Sequence, residues 1–512
     1  MEHLKITKEL RSIQYDKFKK LFKFIENNSE LAEQGSPEWL AMRKKIIGGS
    51  ELSTILGKNP FNKIQNLVAD KIGLTKFYGN TATRWGNLFE ELSRIIMEII
   101  LIDRQGQMES EHCSGNNQNK LPEYGIFETG SLEGAIPHHR FSPDGLSVFL
   151  YKVNQSLNEA NQSLYKKKKV LQFLITLLEF KSPLRSIPTG SVPEYYAPQI
   201  QAGLCDINMS EIGLFVNNMY RKCSISDLGL SIKYDTVFHM SDSDIKKKFK
   251  PETPVAYGII GFYQTSDQSN KFEVHIKKQT NSDYSNSNID EFSDSLAKQA
   301  IIANNEYDTD TNNSDEDDSD ADDEKWVYKN IDEKIKELKF KNKGNSVDEN
   351  IDKFLIDFGN ESTNNMDILL KYIEMDFISV IYYKPNINMT KYAEYIPNEL
   401  VNVTDFNDIS SESNDNIELI SYKMLKTNPI KFIKKFANTC NKNKYIPIGY
   451  LPWKLFKSDI IVVEKDPLYI YQFVDKIEEV IKIIEDINSF DETDDQIDRY
   501  KHYFPRAKIN SY

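Results

Sequence analysis

Cysteine is scarce in this chain of 512 residues, and the four present (Cys113, Cys205, Cys223 and Cys440) lie far apart with no CxxC pair. That spacing excludes a zinc ribbon, an iron–sulfur cluster and a disulfide framework. No run of about 18 apolar residues occurs, so no segment reads as a membrane span. The opening residues, MEHLKITKEL, lack the apolar stretch of a secretory signal. These absences predict a soluble, intracellular protein of a reducing compartment, with no membrane partner. Aromatic residues are plentiful: at 12%, they exceed what a mostly disordered chain carries.

The net charge of -13 is unevenly spread. Residues 1–250 carry 33 Lys+Arg against 28 Asp+Glu, and the remaining 262 carry 31 against 49. Much of the acidic excess is one run, Asp308 to Glu324, with ten acids and no base. Such a block stays solvated and reads as a disordered spacer. The first half is therefore slightly basic and free to approach a polyanion, which the sequence pI of about 5.3 alone obscures.

Apolar periodicity places an amphipathic helix over residues 4–27, a short helix over 38–45, and a third over 51–56 with Ser50 as its N-cap. A long helix is expected from Trp85 to Leu101. Strand patterns follow at 146–153 and 170–180, then a helix at 195–206 and a strand at 212–216. The stretch 154–169, ending in Lys166–Lys169, reads as an exposed excursion. Further strands are expected near 257–263, 272–276 and 460–464, with a helix at 471–487.

Four features converge on one chemistry. Asp144 sits in a Ser-Pro-Asp-Gly turn between strand patterns. Glu179 and Lys181 share one face at the end of an apolar strand, because strand side chains alternate. Glu90 lies on the long helix, and Gln199 and Gln201 follow Tyr195-Tyr196. Carboxylates with a lysine at one sheet edge suit metal-assisted phosphodiester hydrolysis: hard cations take carboxylate and carbonyl oxygens, and an ammonium offsets charge on the reacting phosphate. Asp144 alone would read as a turn residue. His138-His139 lacks the HxH or HxxxH spacing that chelates zinc and reads as structural.

The sequence resembles the lambda-type exonuclease or YqaJ-like viral recombinase family of the PD-(D/E)xK nuclease superfamily. The matching residues, in family order, are Trp39-Leu40-x-x-Arg43, Ile47-Gly48-Gly49-Ser50-Glu51, Ile55-Leu56-Gly57, Trp85-Gly86-x-x-x-Glu90, Ser142-Pro143-Asp144-Gly145-Leu146, Leu178-Glu179-Phe180-Lys181-Ser182-Pro183 and Tyr196-x-x-Gln199-x-Gln201. The resemblance implies an α/β fold with a PD-(D/E)xK restriction-endonuclease-like core, a central mixed sheet flanked by helices. It implies metal ligation by Asp144, Glu179, Glu90 and the Phe180 backbone carbonyl, catalysis by Lys181 and support from Gln199. Arg43 and Ser50 match the positions that grip a DNA 5′-phosphate, and Gln201 joins them as a DNA-binding candidate.

The implied organisation is an N-terminal helical extension (1–34), a nuclease core (35–235), and an insertion (236–445) that contains an acidic disordered segment at about 279–325. A returning strand and helix (446–490) and a tail (491–512) complete it. The implied activity is 5′→3′ exonuclease action on linear duplex DNA ends, with two Mg²⁺ ions and Mn²⁺ as the alternative metal. It would generate 3′ single strands for viral recombination and replication, at a viral replication site in the host cytoplasm, with the nucleus as the alternative. A single-strand annealing protein and a second copy of the chain are the candidate partners besides DNA. An endonuclease of the same superfamily and a non-catalytic DNA-binding scaffold are the alternatives.

Overall fold

The computed structural model describes residues 8–28, 41–75, 79–101, 125–134, 136–155, 168–225, 228, 254–265, 355–360, 363–383, 385–401 and 429–507. Its elements begin with helix α1 (Lys8–Asn27), strand β1 (Ile47–Gly48), a 3-10 turn at Gly49–Glu51, and helices α2 (Leu52–Ile55), α3 (Ile64–Lys71) and α4 (Thr81–Leu101). Strands β2 (Leu132–Glu133), β3 (His139–Phe141), β4 (Gly145–Gln155) and β5 (Lys168–Lys181) follow. Helix α5 (Ala197–Asp206) leads to β6 (Ile212–Lys222) and β7 (Ala256–Gln264). Beyond them lie β8 (Ile356–Asp357), α6 (Thr363–Glu374), β9 (Ser379–Tyr382), β10 (Asn386–Ile387), α7 (Met389–Ala393) and α8 (Pro429–Lys442). The described chain closes with β11 (Ile446–Glu464), α9 (Val474–Asn488) and α10 (Thr493–Tyr503).

Eight strands form one mixed sheet in the order β10-β7-β11-β6-β5-β4, with β8 pairing β11 and β9 pairing β7. The β4–β5 pair is antiparallel and sets Gly145 opposite Leu178. The β5–β6 pair is parallel, with α5 in its crossover. A parallel pair cannot be closed by a tight turn, so the helix belongs to the topology. β11 is the longest strand, at 19 residues. Its first part pairs with β7 and its last part with β6, and irregularities in register fall at Pro447/Gly449 and Leu455/Lys457.

The run VLQFLITLLEF lacks polar alternation because both of its faces are buried from Phe173 onward; Gln172, near its start, is exposed. Phe173, Ile175 and Leu177 pack with α1 and α5, alongside Leu146, Val148 and Leu150 of β4. Leu174, Leu178 and Phe180 face the other way, into a cluster with Leu88, Leu92 and Ile96 of α4. A third cluster joins α3 to α9 through Leu67, Val68, Ile477, Val480 and Ile484. No helix among the described residues is long and apolar enough to cross a membrane.

The structure has the expected class: a mixed α/β chain whose central sheet is flanked by helices, with the β4–β5–α5–β6 unit of a PD-(D/E)xK-like core. Several boundaries differ from expectation. The strand expected at 460–464 is the end of β11, because Pro447, Gly449 and Pro452 are accommodated within the pairing with β7 and do not end the strand. Residues 236–445, expected as an insertion, supply β7 to β10 to the same sheet. Ser50 lies inside the 3-10 turn and does not cap a helix; the N-cap is Gly48, whose N–H donates to Glu51 Oε2 at 2.7 Å. The strand expected at 272–276, the acidic run 308–324, residues 156–167 of the excursion, and Trp39-Leu40 lie outside the described residues.

Gly203 of α5 packs close against two strands: an added Cβ would come within 2.4 Å of the Phe141 ring and 2.9 Å of Leu177. Alanine gains roughly 1 kcal/mol over glycine in a helix interior. Overpacking a filled core costs about 1–3 kcal/mol, so it wins. Gly203→Ala is therefore expected to lower the urea unfolding midpoint, and an unchanged or raised midpoint would contradict this packing.

Candidate active site

Asp144 directly precedes β4, and Gly145 is paired with Leu178, so the register sets the aspartate beside the end of β5. Its Oδ2 accepts the Phe180 N–H at 2.7 Å. Glu179 and Lys181 share the face directed at α5, and the Lys181 ammonium bonds Glu179 Oε1. The same ammonium is 3.8 Å from Asp144 Oδ2. Gln199, in the first turn of α5, donates its amide to Glu179 Oε1. The structure thus brings together Asp144, Glu179, Lys181 and Gln199, residues 55 positions apart at the extremes of the chain segment.

Glu90 comes from α4 on the opposite layer. One turn further along, Ser93 anchors the helix in a buried polar network. Its Oγ lies 3.0 Å from Tyr220 Oη and 3.3 Å from Ser182 Oγ, and it accepts from Asn218 Nδ2 at 3.0 Å. Ser458 of β11 closes the network on Asn218 Oδ1 at 2.6 Å. Phe89 stacks on Tyr220 with centroids 4.6 Å apart. Residues three apart share a helix side, so this anchoring also fixes Glu90. The neighbouring Glu91 is turned away and bonds Arg94 at 2.5 Å.

The electrostatics are those of too few cations. Burial, and then the charge of Asp144, push the Glu179 carboxyl up to about 8, although Lys181 opposes the shift. Glu90 is likewise pushed up to about 8 by burial and Asp144. Burial also raises Asp144, against the pull of Lys181 and the Phe180 N–H. Burial works against the Lys181 ammonium too, but Glu179 and Asp144 outweigh it and its pKa rises. Among the described residues three carboxylates therefore share one ammonium; Glu179 Oε2 is buried and receives no N–H or hydroxyl donor, and the raised Glu179 carboxyl shares a proton with Asp144.

Those oxygens are the donors a hard divalent cation takes. Among the described residues no three His, Cys, Asp or Glu side chains are grouped tightly enough to chelate an ion as they stand. The Lys181 ammonium occupies the space between Glu179 and Asp144 and supplies the positive charge there. The raised carboxyls and the proton shared by Glu179 and Asp144 fit an ion that would take the place of that proton and share this space with the ammonium or displace it.

The three remaining candidates stand apart from this cluster. Arg43 Nη2 donates to Glu51 Oε1 at 2.9 Å. Ser50 is exposed on the adjoining turn. Gln201 is turned from the acidic residues: its Nε2 donates to the Glu464 carbonyl at 2.9 Å and its Oε1 accepts the Asp466 N–H at 3.0 Å. It staples the end of β11 to α5. The turn bearing Ser50 nevertheless abuts the cluster, since a Cβ on Gly49 would lie 3.7 Å from Gln199 Cγ. His139 is buried, with Nδ1 2.6 Å from Asp206 Oδ2.

Tyr196, named above only as a motif residue without a role, and Lys71, outside every motif, are further groups at the site. The Lys181 ammonium lies 5.4 Å from the Tyr196 ring centroid, a contact that only the folded register reveals. Lys71 is buried against Glu51. Its signal was present, because it falls four residues after Leu67 and three after Val68, on the apolar face of α3.

The site is an acidic cluster with one lysine at the end of a central strand, on a PD-(D/E)xK-like core. Residues 38–99 match the YqaJ-like viral recombinase domain, and the resemblance read from the sequence holds. That stretch includes Arg43, Ser50 and Glu90 and ends before Asp144. The chain is 31% identical over 251 residues to a protein of African swine fever virus from a tick isolate of Malawi, covering 48% of this chain and 65% of the relative. The counterpart in a Vero-adapted strain of the same virus is 30% identical over 251 residues, with the same shares covered. The chain therefore spans just under two thirds of the length of these relatives. A solved structure, an alkaline exonuclease (LHK-Exo) from Laribacter hongkongensis, is 19% identical over 36% of this chain and 74% of its own, with a TM-score of 0.22. At that score the likeness carries no structural argument, and the fold rests on the sheet order above.

The raised carboxyls have a thermodynamic consequence. The folded protein holds protons on Glu90 and Glu179 that an unfolded chain releases above about pH 4.5, so ion-free stability falls as pH rises from there toward 8. Glu90→Gln removes one of these ionisations and is expected to stabilise the ion-free protein at pH 8 by about 1–3 kcal/mol. Thermal unfolding in chelator at pH 5.5 and 8 checks this. A variant that is less stable at pH 8 and keeps the wild-type slope would contradict it.

Proposed function

We propose that this chain is a metal-dependent deoxyribonuclease that digests linear duplex DNA from its ends. It acts 5′→3′ from a 5′-phosphate and leaves 3′ single strands for viral recombination and replication. The observation that carries the reading is the excess of carboxylate over ammonium at the end of β5, where Glu179 Oε2 is buried without an N–H donor and Glu179 and Asp144 share a proton.

Asp144, Glu179, Glu90 and the Phe180 backbone carbonyl would hold Mg²⁺ or Mn²⁺, as one or two ions. When bound, such ions polarise a phosphoryl oxygen and lower the pKa of water. The chain's own groups do the rest. The β4–β5 register and the Phe180 N–H fix Asp144 in place. Gln199 holds Glu179 in one rotamer. The Lys181 ammonium, against the Tyr196 ring, orients the attacking water and offsets charge gathering on the phosphate.

In this reaction water adds to phosphorus and the bond from phosphorus to the 3′ oxygen breaks. A mononucleotide leaves with a 3′-hydroxyl, and the shortened strand begins with a new 5′-phosphate. Arg43 and Ser50 would hold that terminal phosphate through charge-assisted hydrogen bonds. Their turn packs beside Gln199, one side chain from the acidic cluster, which suits cutting of the first phosphodiester. A single-strand annealing protein would act on the exposed 3′ strand, and the place of action would be viral DNA replication in the host cytoplasm; the relatives from a virus support the viral setting.

The test is degradation of linear duplexes with 5′-phosphate or 5′-hydroxyl ends, and of closed circles, in Mg²⁺ and in chelator. Loss of linear DNA only, faster from 5′-phosphate, is expected. Lys181→Ala and Asp144→Asn should each lower the rate by about 10²-fold or more. Cutting of circles would move the protein to the endonucleases. Cleavage that persists in chelator or in Lys181→Ala would contradict the role given to this cluster.

A further inference from the structure

Glu51 makes three contacts at once. Its Oε1 accepts Arg43 Nη2 at 2.9 Å, while Oε2 accepts the Gly48 N–H at 2.7 Å and lies 2.8 Å from Lys71 Nζ. Lys71 also donates to the Arg43 backbone carbonyl at 2.6 Å. The side chains are graded in depth: Lys71 is 3% exposed, Glu51 13% and Arg43 33%. The cluster thus runs from a buried ammonium, through a carboxylate, to a guanidinium at the surface.

This is an expensive way to build a core. Lys71 occupies the apolar face of α3, where a leucine or methionine would pack without desolvating a charge. One carboxylate stands between two cations, and the outermost group beside the Gly48–Gly49–Ser50 turn is the guanidinium. The backbone of that turn is fixed by the same carboxylate through Gly48. Gly49 has no room for a side chain, because a Cβ there would come within 2.5 Å of the Phe141 ring. Arg43, Gly48 and the turn are thereby locked into one rigid unit beside Gln199.

We propose that Glu51 and Lys71 are positioning residues that hold the Arg43 guanidinium and the Gly48–Ser50 turn in the pose that receives the terminal 5′-phosphate of a DNA strand. The inference rests on the nuclease reading above. Glu51 orients the guanidinium fork and supplies its counter-charge. Lys71 neutralises Glu51 from below, so the carboxylate does not repel the incoming phosphate. Each round of cleavage makes a new 5′-phosphate, so this unit receives the product strand as the next substrate.

The experiment measures the ratio of digestion rates on 5′-phosphate and 5′-hydroxyl duplexes for wild type, Arg43→Ala, Glu51→Gln and the double variant Glu51→Gln, Lys71→Met. The double variant removes the charge of both buried partners, so it keeps the fold where Glu51→Gln alone leaves Lys71 unpaired. The ratio should fall about tenfold in both Glu51 variants, the loss expected from a misdirected charge-assisted contact. A ratio that falls in Arg43→Ala but stays at the wild-type value in the double variant would overturn this inference and leave the nuclease reading intact. A wild-type enzyme with no preference between the ends would overturn the end-recognition reading together with the inference.

Discussion

Three carboxylates share a single ammonium at the end of β5, and the surrounding architecture serves to keep them there. Asp144 is held by the Phe180 N–H, Glu179 by Gln199 and Lys181, and Glu90 by a helix pinned to the sheet through Ser93. Each carboxylate comes from a different element. In isolation each would be an ordinary acidic side chain, and together they cannot all ionise cheaply in a partly desolvated site. The raised carboxyls and the proton shared between Glu179 and Asp144 are two expressions of that imbalance. A divalent cation would relieve both.

The imbalance is sustained because the rest of the molecule is well packed. Toward α5 the strand presents Phe173, Ile175 and Leu177 in succession, and Glu179 is the polar group that follows them on that side. β11 spans the sheet, pairing with β7 at one end and β6 at the other, and Gln201 ties its last residues back to α5. Through Ser458 and Asn218 the same strand reaches the polar network under α4. Strand, crossover helix and α4 are therefore coupled, and displacement of any one would move a carboxylate.

Much of this was legible in the sequence for definite reasons. Strand alternation set Glu179 and Lys181 on one face, and a Pro-Asp-Gly turn before a strand placed Asp144 at a sheet edge. What could not be read depended on pairing between distant segments. The extent of β11 was hidden because Pro447, Gly449 and Pro452 are turn signals locally and became strand only through pairing with β7. Ser50 has the sequence of an N-cap, but the chain turns helical one residue earlier, at Gly49, and the Glu51 carboxylate reaches back to the Gly48 N–H. Gln201 was grouped with Gln199 by motif, yet two positions along a helix turn it to another side, toward Glu464 and Asp466. Lys71 was overlooked although its spacing put it on a buried face.

The central claim is that Glu90, Asp144 and Glu179 form an oxygen-donor set for a hard cation. Titration of the ion-free protein with Mn²⁺, followed by calorimetry, tests it without reference to activity. Saturable binding in the wild type that is lost or strongly weakened in Asp144→Asn is the predicted result. Binding of equal strength in both proteins, or none in the wild type at millimolar Mn²⁺, would contradict it.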